Sequence, residues 1–243
     1  MMASSAIGLA SSAPHIHGAP DLLAGLTDWG PHQMPIDGRS QNRGRLLAKA
    51  EDGVPEAGLW RSTPGSWRLV LPADELCYFV AGRARYIAED GEVVDCAPGV
   101  LVHFKEGWRG HVEVSEEIVV TYMLAAGGPA PSTPVLVDPA AARLEDWGEA
   151  KTLDGRPARM RGRQLSREPD GRAESGVWEC DPARRAVAIA RDEFCHVLKG
   201  QATYTHQSGE RIHVEPGTIV FFPAGWTGTC ENEVVMRKIY MNR

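Results

Sequence analysis

Glu193 heads an otherwise apolar, strand-like run, Glu193-Phe-Cys-His-Val-Leu198, that closes on Gly200. A carboxylate in that setting either does chemistry with partners or needs a counter-ion, because a lone buried charge is costly. Strand alternation places Cys195 and Val197 on the face of Glu193 and turns His196 away. Lys238 and Tyr240 share one face of the last strand, so an inward orientation lets Lys238 pair with Glu193. Two readings follow. One is a structural ion pair that fixes strand register. The other is a catalytic set, Glu193, Lys238 and Tyr240, for proton transfer on a small polar substrate.

The surrounding chain repeats itself. Glu75-Leu-Cys77 matches Glu193-Phe-Cys195 at a shift of 118 positions. The same shift carries Trp60 to Trp178, Gly82 to Gly200, Tyr86 to Tyr204 and Pro98-Gly99 to Pro216-Gly217. It also carries Gly107-Trp108 to Gly225-Trp226, Gly110 to Gly228 and Tyr122-Met123 to Tyr240-Met241. Upstream, Asp28-Trp29-Gly30 pairs with Asp146-Trp147-Gly148, and Arg43-Gly44-Arg45 with Arg161-Gly162-Arg163. The repeated unit therefore includes its own leading segment. The Pro/Gly/Ser-rich stretch Ala125–Pro134 reads as a linker. The predicted organisation is an arm over 1–25, a first domain over 26–124, a linker over 125–143 and a second domain over 144–243. Short β-rich runs punctuated by Gly and Pro predict an all-β sandwich or barrel in each domain.

Composition bounds the partners. The chain has 243 residues, 43% hydrophobic and 24% charged, with a net charge of −6 and a pI near 5.8. Those values fit a globular protein and argue against nucleic acid or an anionic membrane as partner. The longest apolar runs fall short of a membrane span, and the N-terminus lacks the basic and apolar regions of a secretory signal. Five scattered cysteines with no Cys-x-x-Cys fit reduced thiols, so the expected location is the cytoplasm.

Each half resembles a cupin, most fully through Glu193-x-Cys-x-Val-Leu-x-Gly200, Ser208-Gly209-Glu, Pro216-Gly217-Thr, Phe222-Pro-Ala-Gly225-Trp-Thr-Gly228 and Arg237-Lys238-Ile-Tyr240. The wording is similar to that of the cupin-domain family of ureidoglycine aminohydrolases. The resemblance implies tandem duplicated jelly-roll barrels (RmlC-like), a bicupin related by a pseudo-two-fold. It also implies a divalent metal, Mn, Fe, Ni or Zn, held by three histidines and the glutamate. Here only the glutamates remain. The places of the paired histidines hold Arg68 and Val70, and Ala186 and Ala188; a shift by one gives Leu69 and Leu71, and Val187 and Ile189. The late histidine falls on Gly110 and Gly228. None of these ligates a metal. No cofactor is therefore expected, and neither is aminohydrolase activity.

A nonstandard metal site from Glu75, His103 and His111 remains an alternative. His15-x-His17 has ligand-like spacing but reads as a solvated arm. Arg68, if inward, suits a carboxylate ligand. The candidate ligand-binding residues are thus Arg68, Glu75, His103, His111, Cys195 and Trp226. The paired cysteines read as small hydrophobes and the repeated tryptophans as packing or rim residues. The expected function is a metal-independent acid–base enzyme, or a degenerate relative, acting on a small polar metabolite. The alternatives are a non-catalytic binding or scaffold cupin and the nonstandard metalloenzyme. Either barrel is a candidate, and a homodimer is an expectation carried by the resemblance.

Overall fold

The computed structural model describes residues 15–17, 21–37, 40–49, 54–127, 133–171 and 173–243. Among them every regular element is a β-strand, apart from a 3-10 turn at Asp21–Leu23. No helix among the described residues is long and apolar enough to cross a membrane.

The two units share one plan. In the second, a seven-stranded sheet runs in the order His15–His17, Ile219–Phe222, Glu193–Lys199, Met236–Asn242, Glu174–Cys180, Arg159–Arg167, Glu145–Glu149. A four-stranded sheet of Ala183–Ala188, Thr227–Asn232, Ala202–His206 and Arg211–Val214 packs on it. Their inner faces interdigitate through Cys195, Val197, Tyr204, Val214, Phe222 and Cys230. In the first unit the order is Val135–Val137, Leu101–Phe104, Asp74–Ala88, Arg109–Ala125, Glu56–Ser62, Gln41–Lys49, Thr27–Pro31. Gly65–Val70 and Val93–Cys96 complete its second layer. All the pairs are antiparallel, so the sequence predicts the two jelly rolls correctly.

The glycine seven residues after each glutamate has a mechanical role. Gly82 adopts φ +81° and Gly200 φ +77°, a region open to glycine at little cost. A Cβ at Gly82 would lie 2.0 Å from the Glu117 carbonyl, and one at Gly200 2.3 Å from the Val235 carbonyl. At this point the long strand of the first unit shifts register, and the corresponding strand of the second unit divides into Glu193–Lys199 and Ala202–His206. The glycine lets the chain pass from one sheet to the other while the neighbouring strand stays close.

The leading segments cross over. His15–His17 pairs with Ile219–Phe222 of the second unit, and Val135–Val137 pairs with Leu101–Phe104 of the first. The segment expected as a solvated arm is thus backbone-paired over His15–His17. The stretch expected as linker carries a strand beyond residue 134. A third core lies between the units, where Leu76, Leu101 and Met123 meet Phe194, Ile219, Ile239 and Met241. His196 is buried there, its Nδ1 3.0 Å from Thr121 Oγ1 and its ring edge-on to Tyr78. The faces turned away from the two glutamates therefore bind the units together.

Candidate functional site

Each barrel has a cavity at the same end, lined by equivalent residues. In the second, about 250 Å³ is bounded by Trp147, Trp178, Arg185, Glu193, Tyr204, Lys238 and Tyr240, among others. Lys238 Nζ lies 2.6 Å from Glu193 Oε1 and 3.1 Å from Cys195 Sγ. Cys195 Sγ lies 3.0 Å from the same carboxylate oxygen. Lys238 and Arg185 both sit over Trp178, 5.2 Å and 4.8 Å from its ring centroid. Burial works against the charge on Glu193, but the Lys238 ammonium and the Cys195 thiol hold its carboxyl below the usual range. Burial likewise opposes the charge on Lys238, yet Cys195 and Glu193 keep it well above the ordinary lysine range. Both partners are therefore ionised at neutral pH. Burial pushes the Cys195 thiol well upward, as it does the Cys77 thiol, so neither is a thiolate nucleophile.

In the first barrel the cavity is about 430 Å³, with walls that include Trp29, His32, Trp60, Trp67, Tyr86 and Tyr122 and with Glu75 among its lining groups. Cys77 Sγ is 3.0 Å from Glu75 Oε1, as in the second barrel. The cross-strand place of Lys238, opposite Trp178, is here taken by Val120, opposite Trp60. Among the described residues Glu75 has no salt-bridge partner. Burial, with Glu56 nearby, pushes its carboxyl above the usual carboxylate range despite the Cys77 hydrogen bond. Glu56 itself accepts a hydrogen bond from Tyr122 at 2.6 Å and pairs with Lys49 at 2.6 Å. His32 stacks on Trp67 with ring centroids 3.6 Å apart, and burial lowers its pKa to about 4, so it is neutral. Two equivalent glutamates thus shift in opposite directions: Glu193 is held below the ordinary carboxylate range by its ion pair, and Glu75 is pushed above it by burial.

The structure brings Glu193, Lys238, Tyr240 and Cys195 together and separates the other candidates. His103 pairs across the sheet with Leu76, not Glu75, so it faces the interior between the units, 3.8 Å from Asp74. Burial, aided by the Lys105 ammonium, lowers its pKa to about 4. His111 lies opposite Arg68 beside Glu113, away from the Glu75 cavity. The proposed Glu75–His103–His111 site is therefore corrected: alternation sends the three side chains to different faces. Arg68 is exposed, with the inward places on its strand held by Trp67 and Leu69. Its side chain therefore does not point into the barrel, contrary to expectation, but it remains among the residues that border the first cavity. Trp226 is buried against Tyr204 and Phe222 below the cavity and does not line it.

The family's metal does not fit either barrel. The inward positions are those shifted by one, and they carry Leu69 and Leu71 in one copy and Val187 and Ile189 in the other. At the late-strand position a Cβ on Gly228 would lie 2.1 Å from the Thr205 carbonyl and 2.9 Å from the Trp226 ring. A Cβ on Gly110 would meet the Ile87 carbonyl and the Trp108 ring in the same way. Backbone and indole fill the place of a histidine. Among the described residues no three His, Cys, Asp or Glu side chains converge as a metal site.

Several lining residues were not anticipated. Trp29 and Trp147 come from the leading segments and stand at the cavity rims, 37% and 39% exposed. Each lies across a glycine of the next strand: a Cβ on Gly44 would come 2.0 Å from the Trp29 ring, and one on Gly162 2.3 Å from Trp147. The preceding aspartates fix the bulge, with Asp28 Oδ1 accepting from Gly30 N at 2.8 Å and Asp146 Oδ1 from Gly148 N at 2.9 Å. The repeated Asp-Trp-Gly and Arg-Gly-Arg signatures were the available signal. Arg185 is the equivalent of Trp67, and the one-residue shift would have turned it inward.

Comparison with known proteins agrees with this architecture. No curated protein matches the chain. Solved structures share the fold at low identity. A DUF861-family protein of unknown function from Pseudomonas syringae pv. tomato superposes with a TM-score of 0.71 at 18% identity, covering 88% of this chain and 92% of that one. A cupin 2 conserved barrel domain protein from Leptotrichia buccalis gives 0.61 at 10% identity, with 89% and 97% covered. An oxalate decarboxylase variant from Bacillus subtilis gives 0.56 at 10% identity, with 96% and 78% covered. The family model for the EutQ-like cupin domain matches twice, over residues 49–122 and 167–240. With both halves matched over more than half of its length, the chain belongs to the EutQ-like cupin domain family, as a tandem pair of cupin barrels.

Proposed function

We propose that this bicupin takes a small polar metabolite into its first barrel, without a metal, and that Glu75 is the acid–base group there. The carrying observation is that Glu75 faces an aromatic cavity of about 430 Å³ with no salt-bridge partner among the described residues. Its counterpart Glu193 is neutralised by Lys238. A group serves acid–base chemistry best when its pKa lies near the working pH. Glu75 is moved in that direction, whereas Glu193 and Lys238 are moved away from it. The second barrel is then a scaffold held in register by its ion pair. The wording shared with ureidoglycine aminohydrolases does not extend to the inward positions, so that reaction is not part of the proposal.

A thermal-shift screen of amides, amines, carboxylates and sugars tests this, because a ligand of the native state raises the midpoint. Hits should vanish in Glu75→Gln and persist in Tyr240→Phe. Hits lost in Tyr240→Phe but kept in Glu75→Gln would move the site to the second barrel and contradict the proposal.

A further inference from the structure

The second barrel contains a complete ammonium site that is occupied by the chain itself. Lys238 Nζ is held by Glu193 at 2.6 Å and Cys195 at 3.1 Å, lies 5.2 Å from the Trp178 ring centroid, and shares the cavity with Tyr204 and Tyr240. Every one of those surrounding groups recurs in the first barrel at the same shift, as Glu75, Cys77, Trp60, Tyr86 and Tyr122. The ammonium alone is missing, because Val120 stands where Lys238 does. Arg185, the second cation over Trp178, is replaced by Trp67, which adds another aromatic wall.

From this we infer that the first barrel binds a small organic cation, an alkylammonium or quaternary ammonium, whose charge takes the place of the Lys238 ammonium between Glu75 and Trp60.

The inference rests on the first barrel being the working one, and adds the class of its ligand. The physical grounds are a carboxyl at the cavity wall and aromatic faces around it, the arrangement that recognises organic cations. Phe79 stands across from Val120 as Val197 stands across from Lys238, so aromatic bulk fills the space of the lysine stem. The cation must then enter from the cavity side, past Trp29. Glu75 meets Cys77 on its own strand, Glu56 and Tyr122 on the flanking strands, and neutral His32 across the cavity. Glu56 is already matched by Lys49, so Glu75 is the carboxyl left for a ligand. An alkylammonium entering charged pairs with the Glu75 carboxylate; an uncharged amine meeting the protonated carboxyl takes that proton on its nitrogen lone pair and gives the same ammonium–carboxylate pair. A quaternary cation pairs with the carboxylate form, and any proton on the carboxyl leaves to solvent.

Calorimetric titration with propylammonium and tetramethylammonium chlorides, against 1-propanol and sodium propionate, tests the inference on the full chain. Saturable binding of the two cations is expected, with neither control binding. Glu75→Gln should weaken the cations roughly tenfold or more. The transplant Phe79→Val with Val120→Lys supplies an internal ammonium and should abolish binding; Glu75→Gln decides the case if the transplant does not fold. Cation binding that survives Glu75→Gln places the site elsewhere and overturns the inference, as does the absence of cation binding. Propanol or propionate binding that is lost in Glu75→Gln would overturn the ligand class while leaving the first barrel as the working site.

Discussion

Lys238 Nζ lies 2.6 Å from Glu193 Oε1 inside the second barrel, with both side chains largely withdrawn from solvent. Removing one partner of such a pair strands the other, whereas removing both strands neither. Lys238→Met is expected to destabilise the chain by about 3–5 kcal/mol. Adding Glu193→Gln should restore much of that loss. Glu75→Gln, which breaks no salt bridge among the described residues, should change stability by less than about 1 kcal/mol. Urea denaturation of the four proteins checks this; equal costs for Glu75→Gln and Lys238→Met would contradict it.

The pH dependence of stability should report two buried histidines. Burial lowers His103 to about 4 and His196 to about 3, from 6.5 in the unfolded chain. The unfolded state therefore takes up protons first as pH falls. Stability from these groups is complete above pH 6.5 and is lost as pH drops toward the folded-state values. Across its own window the loss should be roughly 3 kcal/mol for His103 and roughly 5 kcal/mol for His196. Glu193, lowered in the fold, contributes fully above its unfolded value of 4.5 and loses that contribution as pH falls from there toward its reduced folded value. Urea melts at pH 7 and pH 4.5 on wild type and His196→Leu check the sign; a flat profile would count against it.

Much of this was readable from residue order. The shift of 118 positions shows two equivalent β-rich units, and their resemblance to cupins supplies the jelly roll. Alternation puts Lys238 on one face with Tyr240, and its pairing with Glu193 follows once that face is inward. Two things were hidden. Which of two adjacent residues faces inward on Gly65–Val70 and Ala183–Ala188 depends on strand register, and register places Trp67 and Arg185 inward rather than Arg68 and Ala186. The rim tryptophans Trp29 and Trp147 reach their cavities through bulged leading strands, a route that periodicity does not encode. His103 is hidden for a different reason from Arg68: its strand is buried on both faces, so burial does not tell which cavity it meets.

Metal removal should leave the protein unchanged. Overnight chelation with EDTA is expected to shift the melting midpoint negligibly, and elemental analysis should find Mn, Fe, Ni and Zn well below one per chain. Gly228→His should not create a site, since its Cβ would lie 2.1 Å from the Thr205 carbonyl, and should destabilise the fold. Stoichiometric metal in the wild type would contradict this account of the barrels.

Gly162→Val should expel Trp147 from the rim of the second cavity, because the indole lies where the side chain would begin, 2.3 Å from a Cβ. Gly44→Val should do the same to Trp29. Both tryptophans are partly exposed, so the stability cost should stay near 1–2 kcal/mol. Only Gly44→Val should weaken ligand binding. An equal loss of binding from Gly162→Val would show that the second cavity takes part.

The two equivalent glutamates are pushed in opposite directions from the ordinary carboxylate range. Carboxyl carbon-13 NMR of glutamate-labelled protein, titrated over pH and assigned with Glu75→Gln and Glu193→Gln, measures this directly. Glu75 should titrate above the ordinary carboxylate range and Glu193 below it. Coincident titrations, or a Glu75 that remains ionised into acid, would contradict the account.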